Sequence, residues 1–202
     1  MRNVLLIVDP QNDFISGSLP VAGAEVKMQK LAEYIKAKHT KYDYIFVTMD
    51  SHPINHYSFG DNGGIWPIHC VSNTEGWKLP GYLNSVLNET YPAVSYYHKG
   101  TNVNKEQYSI FDNWEDGLVL TNKIINLCEE GEAYFDVCGI AGDYCVLETL
   151  KGLVNLVGNN YISVLEEFTA SIDGGEALHK FLEENNINLI LDSSLNLENY
   201  VY

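Results

Sequence analysis

The stretch Val4-Leu5-Leu6-Ile7-Val8-Asp9-Pro10-Gln11 holds five apolar residues in a row and stops at an acid. Five residues fall far short of a membrane span, and no small-residue cleavage site follows, so the run reads as a buried strand rather than a secretory leader. An apolar run without alternation suits a strand covered on both faces, as in a parallel sheet. Similar runs recur at 44–49, 93–97, 134–140, 161–165 and 187–191. Helical patterns lie between them. Ala24, Met28, Leu31 and Ile35 follow the i, i+4, i+7, i+11 spacing, as do Val146, Leu150, Leu153 and Val157. Residues 118–128 form a further helical pattern, and Ala177, Leu178, Phe181 and Leu182 form an apolar stripe after a cap at Asp173. Alternating strand and helix predicts an α/β fold: three α/β/α layers around a doubly wound, mostly parallel six-stranded sheet.

The rhythm breaks at 50–92 and 98–116, which are rich in Gly, Pro, Asn, His and Trp. Long irregular insertions in a compact domain are usually functional, and 72–98, with Trp77, reads as a candidate lid. No linker, repeat or sharp shift in composition appears, so a single domain is expected over 1–202. The 202 residues are 46% hydrophobic and 19% charged, enough for a sizeable core without staples. The 24 aromatic residues, 14 Tyr with 7 Phe and 3 Trp, exclude a disordered chain. A net charge of −15 argues against nucleic acid or an anionic membrane surface as partner. Cys70, Cys128, Cys138 and Cys145 lie far apart with no CxxC pair. That pattern fits a cytoplasmic protein with free thiols.

In open α/β sheets the site lies beyond the carboxyl ends of the strands, so the polar residues after each run are the candidates. Asp9 ends the first run, where partial burial would raise its pKa and make it a base; the competing reading is a turn cap. The second run ends in Asp50-Ser51-His52-Pro53-Ile54-Asn55-His56, and His69 follows in Trp66-Pro67-Ile68-His69-Cys70. Residues two apart in extended chain face the same way, so Asp50 and His52 can meet one ion. One Asp with two or three His suits Zn²⁺, Fe²⁺ or Mn²⁺, against a plain reading of solvated loop histidines. His56 stands open as direct ligand, support for a ligand or loop hydrogen-bonder. Lys99 follows the third run and is either drawn into the site or a surface charge. Cys145, in Cys138-Gly139-Ile140-Ala141-Gly142-Asp143-Tyr144-Cys145, falls where a helix should begin after the fourth run. A helix N-terminus lowers a thiol's pKa and presents backbone N–H groups, so Cys145 is a candidate nucleophile; the alternative is a small buried hydrophobe.

Four ordered segments carry a resemblance: Val8-Asp9 with Gln11-Asn12-Asp13-Phe14; Asp50-x-His52-Pro53-x-x-His56-x-Ser58-Phe59 with Trp66-Pro67-x-His69-Cys70; Lys99-Gly100 with Tyr108-Ser109-x-Phe111; and Gly139-Ile140-Ala141-x-Asp143-Tyr144-Cys145-Val146-x-x-Thr149. Together they resemble the isochorismatase-like cysteine hydrolases, and specifically the metal-dependent nicotinamidases, which convert nicotinamide to nicotinate and ammonia and feed NAD salvage. The resemblance implies a catalytic set of Asp9, Lys99 and Cys145, with a thioester on the cysteine. It implies an oxyanion hole at the N–H groups of Ala141 and Cys145, with a cis bond before Ala141. It implies one divalent metal ion, Zn²⁺ ahead of Fe²⁺ or Mn²⁺, on Asp50, His52 and His69, and aromatic walls at Phe14, Trp66 and Tyr108. The loop between His52 and His69 holds 16 residues, and His56 and Asp61 are the candidates for a further ligand in it. Where many relatives carry threonine, this chain has Gly142. Superfamily relatives often form homo-oligomers. The rival readings are a cysteine amidase or carbamoyl hydrolase acting on another small amide, a non-catalytic binding module, and isochorismate hydrolysis.

Overall fold

The structure, a computed structural model, describes residues 1–191. Residues 192–202, the end of the span expected as a single domain, lie outside the described residues. Six strands form one sheet: β1 (Arg2–Val8), β2 (Tyr44–Asp50), β3 (Val94–Lys99), β4 (Ala133–Ile140), β5 (Ile162–Ala170) and β6 (Asn188–Ile190). Their order is β3-β2-β1-β4-β5-β6, and every pairing is parallel. The helices are α1 (Asn12–Ile15), α2 (Ala24–Lys38), α3 (Gly81–Glu89), α4 (Asp116–Glu129), α5 (Leu147–Val157) and α6 (Glu176–Glu184).

Alternate residues of β1 feed two cores, because successive side chains of a strand point to opposite faces. Leu5 and Ile7 pack with Met28, Leu31 and Ile35 of α2 and with Leu83 and Leu87 of α3. Val4, Leu6 and Val8 pack with Leu120 and Ile124 of α4, Leu150 and Leu153 of α5, and Leu178 and Leu182 of α6. All of Val4 to Val8 are fully buried. Each such side chain removed from water stabilises the fold by about 1.5–3 kcal/mol.

Helix boundaries follow local chemistry. Gly23, at φ 78°, opens α2, and Gly158, at φ 84°, closes α5. The Asp173 carboxylate accepts from the N–H groups of Gly175 (2.7 Å) and Ala177 (2.9 Å), which ties down the first turn of α6 as its sequence predicts.

Several boundaries differ from the sequence reading, and β5 runs to Ala170 rather than ending near residue 165. The third strand runs to Lys99 rather than ending at Tyr97, so the lysine belongs to the sheet. Segment 72–98, read as a candidate lid, instead contributes α3 and most of β3. Leu79, Leu83 and Leu87 sink into the core beneath α3, so this part of the segment is a crossover and not a flap. The fourth strand enters a π-helical turn, Gly142–Val146, before α5 begins. The chain reverses direction across the sheet between β1 and β4. The carboxyl ends of these two strands flank the crevice where such folds bind ligands.

Candidate active site

Asp9 is the first residue past β1 and takes a left-handed backbone, φ 48°. Its Oδ1 accepts from Thr48 Oγ1 of β2 at 2.7 Å, and its Oδ2 lies 2.8 Å from Lys99 Nζ. Lys99, the last residue of β3, is fully buried. Its ammonium also donates to Asp50 Oδ1 at 2.7 Å and reaches Cys145 Sγ at 3.4 Å. Asp50 ends β2, and Cys145 lies in the π-helical turn after β4. Four neighbouring strand ends thus bring Asp9, Lys99 and Cys145 into one contact network.

Asp50 also faces the histidines. His52 Nε2 is 3.3 Å and His69 Nε2 3.9 Å from Asp50 Oδ2. The outer nitrogens point to backbone carbonyls: His52 Nδ1 lies 2.9 Å from Gly100 O and His69 Nδ1 2.7 Å from Pro67 O. Donation from Nδ1 leaves each Nε2 as a lone pair aimed inward, the usual orientation of a metal-binding imidazole. His52 Nε2 is buried without a hydrogen-bond partner, and ligand atoms of Asp50, His52 and His69 lie within 4.8 Å of one another. Gly100 makes room for this group. Its φ is +66°, and a Cβ there would stand 2.5 Å from His52 Cε1 and 2.9 Å from Asp50 Oδ1. Two nitrogens and a carboxylate oxygen around an orphaned buried lone pair fit Zn²⁺, Fe²⁺ or Mn²⁺.

The charges are strongly coupled. Burial works against the Asp50 carboxylate, but Lys99, His52 and His69 outweigh it and hold the carboxyl well below its usual range. Burial raises the Asp9 carboxyl above its usual value, with Lys99 only partly opposing. Burial also opposes the Lys99 charge, yet Asp50 and Asp9 outweigh it and push the ammonium well above its ordinary value. The Cys145 thiol is pushed well up, by burial first and by the nearby Asp9 and Asp50 carboxylates, against the pull of Lys99. Burial and the carboxylates thus work against the acidifying pull expected of a helix N-terminus, and a carboxylate oxygen of Asp9 lies within 4.8 Å of Cys145 Sγ.

A narrow cleft opens over Cys145 and Ala141 and reaches Asp50 and His69. Phe14, Trp66 and Tyr108, expected as aromatic walls, all line it, together with Tyr144. Trp66 Nε1 donates to the Tyr108 hydroxyl at 2.9 Å, and Tyr144 meets both rings edge-on, with centroids at 5.1 and 5.4 Å. Burial pushes the Tyr108 hydroxyl up to about 12, so it keeps its proton while accepting from Trp66. The bond Ile140–Ala141 is cis.

Other sequence candidates lie apart. His56 Nδ1 accepts from Ser58 N–H at 3.1 Å, its Nε2 lies 3.2 Å from Lys105 O, and its ring packs on His52 at 4.1 Å. Both nitrogens face loop partners, as a loop hydrogen-bonder's would, and the ring also backs His52, as a support for a ligand would. Asp61 is exposed. Cys70 is buried, with its N–H donating to Asp13 Oδ2 at 2.7 Å. Three participants escaped the sequence reading. Gln11 accepts from Asp50 N–H and donates to Asp50 O, both at 2.8 Å, fixing the end of β2. Thr48 orients Asp9, and Tyr144 joins the aromatic wall. The available signals were a glutamine two residues past Asp9 and a lone hydroxyl in the run before Asp50.

No protein-family model matches the chain. Curated relatives do. The chain is 30% identical to the nicotinamidase of Saccharomyces cerevisiae, over 92% of its own length and 98% of the relative's. It is 37% identical to the nicotinamidase/pyrazinamidase of Mycobacterium tuberculosis, over 74% and 77% respectively. Among solved structures, the pyrazinamidase of Pyrococcus horikoshii in complex with zinc aligns with a TM-score of 0.74 at 29% identity, covering 95% of this chain and all of that one. PnC1 from L. infantum in complex with nicotinate aligns at 0.76 and 31%, covering 96% and 93%. Fold, cleft and relatives define an amidohydrolase on a parallel α/β sheet. Within that class the chain belongs to the nicotinamidase family of isochorismatase-like hydrolases.

Proposed function

We propose that the protein hydrolyses nicotinamide to nicotinate and ammonia through a thioester on Cys145, with Asp9, Lys99 and Cys145 as its catalytic groups. One observation carries the reading. A single buried ammonium lies 2.8 Å from Asp9 and 3.4 Å from Cys145, and Cys145 lines a cleft walled by aromatic rings. A flat heteroaromatic amide suits such walls.

The chemistry follows from those contacts. Asp9 accepts the thiol proton as Cys145 Sγ bonds to the carboxamide carbon. The N–H groups of Ala141 and Cys145 receive the charge that develops on the carbonyl oxygen. Asp9 then passes its proton to the amide nitrogen, the carbon–nitrogen bond breaks and ammonia leaves. Water adds to the thioester, Asp9 takes a proton from it, and the carbon–sulfur bond breaks to release nicotinate and restore the thiol. Lys99 holds the Asp9 and Cys145 charges together through both halves. Asp50, His52 and His69 would hold one divalent cation, with Zn²⁺ as the first choice, which when bound supplies a Lewis-acid site at the wall of the cleft. A mechanism that needs a free thiol supports a cytoplasmic setting.

The test is ammonia release from nicotinamide, measured before and after chelation and in Cys145→Ala. Release that needs Cys145 and is lost on chelation is the expected result. Turnover near the wild-type level in Cys145→Ala would remove the thioester. Full turnover in metal-free protein would reduce Asp50, His52 and His69 to structural groups.

A further inference from the structure

The far wall of the cleft comes from the loop between β5 and α6, which the proposed chemistry does not use. Ile172 lines the same cleft as Cys145 and Trp66 and is 51% exposed. An isoleucine half open to solvent is usually mobile surface; this one is held. Its N–H donates to Asp143 Oδ1 at 3.0 Å, and the next N–H, of Asp173, donates to Asp143 Oδ2 at 3.0 Å. Asp143 stands two residues before Cys145 in the π-helical turn. One carboxylate therefore registers the loop backbone against the nucleophile's own turn. On one side of Ile172, Ser171 Oγ fills the space where residue 142 would carry a side chain: a Cβ on Gly142 would stand 2.1 Å from it. On the other side, Asp173 is fixed by its bonds to the first turn of α6. The backbone that carries Ile172 is thus tied down on both sides, and its apolar side chain lines the cleft opposite Cys145.

We infer that Ile172 is a specificity-determining residue, setting which ring substituents a pyridine carboxamide can carry and still reach Cys145. The inference rests on the nicotinamide-hydrolysing reading above. An apolar wall acts by volume. It leaves room for the parent ring and meets an added methyl group with its side chain, and one methylene in a hydrophobic pocket is worth about 10–200-fold in kcat/KM. Asp143, by contrast, touches only the loop backbone and holds the wall in place.

The experiment compares kcat/KM for nicotinamide and for its ring-methylated isomers in wild type, Ile172→Ala and Ile172→Phe. Ile172→Ala should raise the ratio of methylated to parent substrate by about 10-fold for the isomer whose methyl faces the wall. Ile172→Phe should lower the same ratio and raise KM for nicotinamide itself. Calorimetric titration of Cys145→Ala, with and without Ile172→Ala, using nicotinate and the methylated nicotinates, should show the same selectivity change without turnover. Wild type that hydrolyses nicotinamide while every ratio stays within about twofold of it in both variants overturns the role of Ile172 alone. Wild type that hydrolyses no nicotinamide overturns this inference together with the function it rests on.

Discussion

Lys99 has no solvent and three neighbours that want its charge. Removing the charge leaves the Asp9 and Asp50 carboxylates buried beside each other with nothing between them. Lys99→Met should therefore cost about 3–5 kcal/mol of stability as well as activity, because breaking a buried ion pair strands its partner. Urea unfolding at neutral pH reads this directly, and an unchanged midpoint would mean that the carboxylates are satisfied some other way. At this scale the sequence was legible where a polar residue directly follows an apolar run, as Asp9 and Asp50 do; Lys99, two residues past the third run, stood open between site and surface until the structure gathered it with them. Thr48 and Gln11 were hidden for opposite reasons. Threonine is at home in a strand, so its hydroxyl at 2.7 Å from Asp9 leaves no mark on the sequence pattern. Gln11 acts on backbone atoms of residue 50, a pairing that depends on β1 and β2 being neighbours.

The turn bearing Cys145 is shaped by what lies across from it. A side chain at Gly142 would have to displace Ser171 Oγ, 2.1 Å from the Cβ position, and press on the Thr169 and Leu178 side chains at 3.2 and 3.3 Å. Ser171 Oγ thus occupies the space that a side chain at residue 142 would take. Gly142→Ala should destabilise by about 1–3 kcal/mol through overpacking. Adding Ser171→Gly should return a substantial part of that loss, giving a coupling energy of about 0.5–3 kcal/mol in a double-mutant cycle. Strictly additive thermal-unfolding results would show that the two residues do not share the space. Element boundaries were the less legible part of the fold. α3 was missed because only Leu83 and Leu87 of its nine residues are buried, too sparse a stripe to stand out between Pro80 and the polar residues after it. The π-helical turn was read as ordinary helix because its residues, Gly-Asp-Tyr-Cys-Val, carry no preference that separates the two.

Across the whole molecule, the candidate metal group joins the end of β2 to the long loop that carries His69. A ligand that binds only the folded state stabilises it by mass action, by about 2.7 kcal/mol at a hundredfold excess over Kd. Adding Zn²⁺ to chelated protein should raise the thermal midpoint, and His52→Ala should abolish the rise; an equal rise in both proteins would place the ion elsewhere. The class of fold was legible from its apolar runs, whereas the strand order was not, since six buried runs pair equally well on paper in several orders. The observed order makes β1 a central strand between β2 and β4, although its two neighbours are far apart along the chain. During synthesis, Val4–Val8 emerges before both of its partners, and one of its edges has no partner until Ala133–Ile140 has been made. Over the interval between the making of β1 and of β4, the nascent chain thus carries an unpaired strand edge of apolar residues, a feature that readily recruits other nascent chains. That interval closes before Cys145 has been synthesised, and a chaperone that shields the nascent chain between β1 and β4 would guard the open edge until β4 pairs with it.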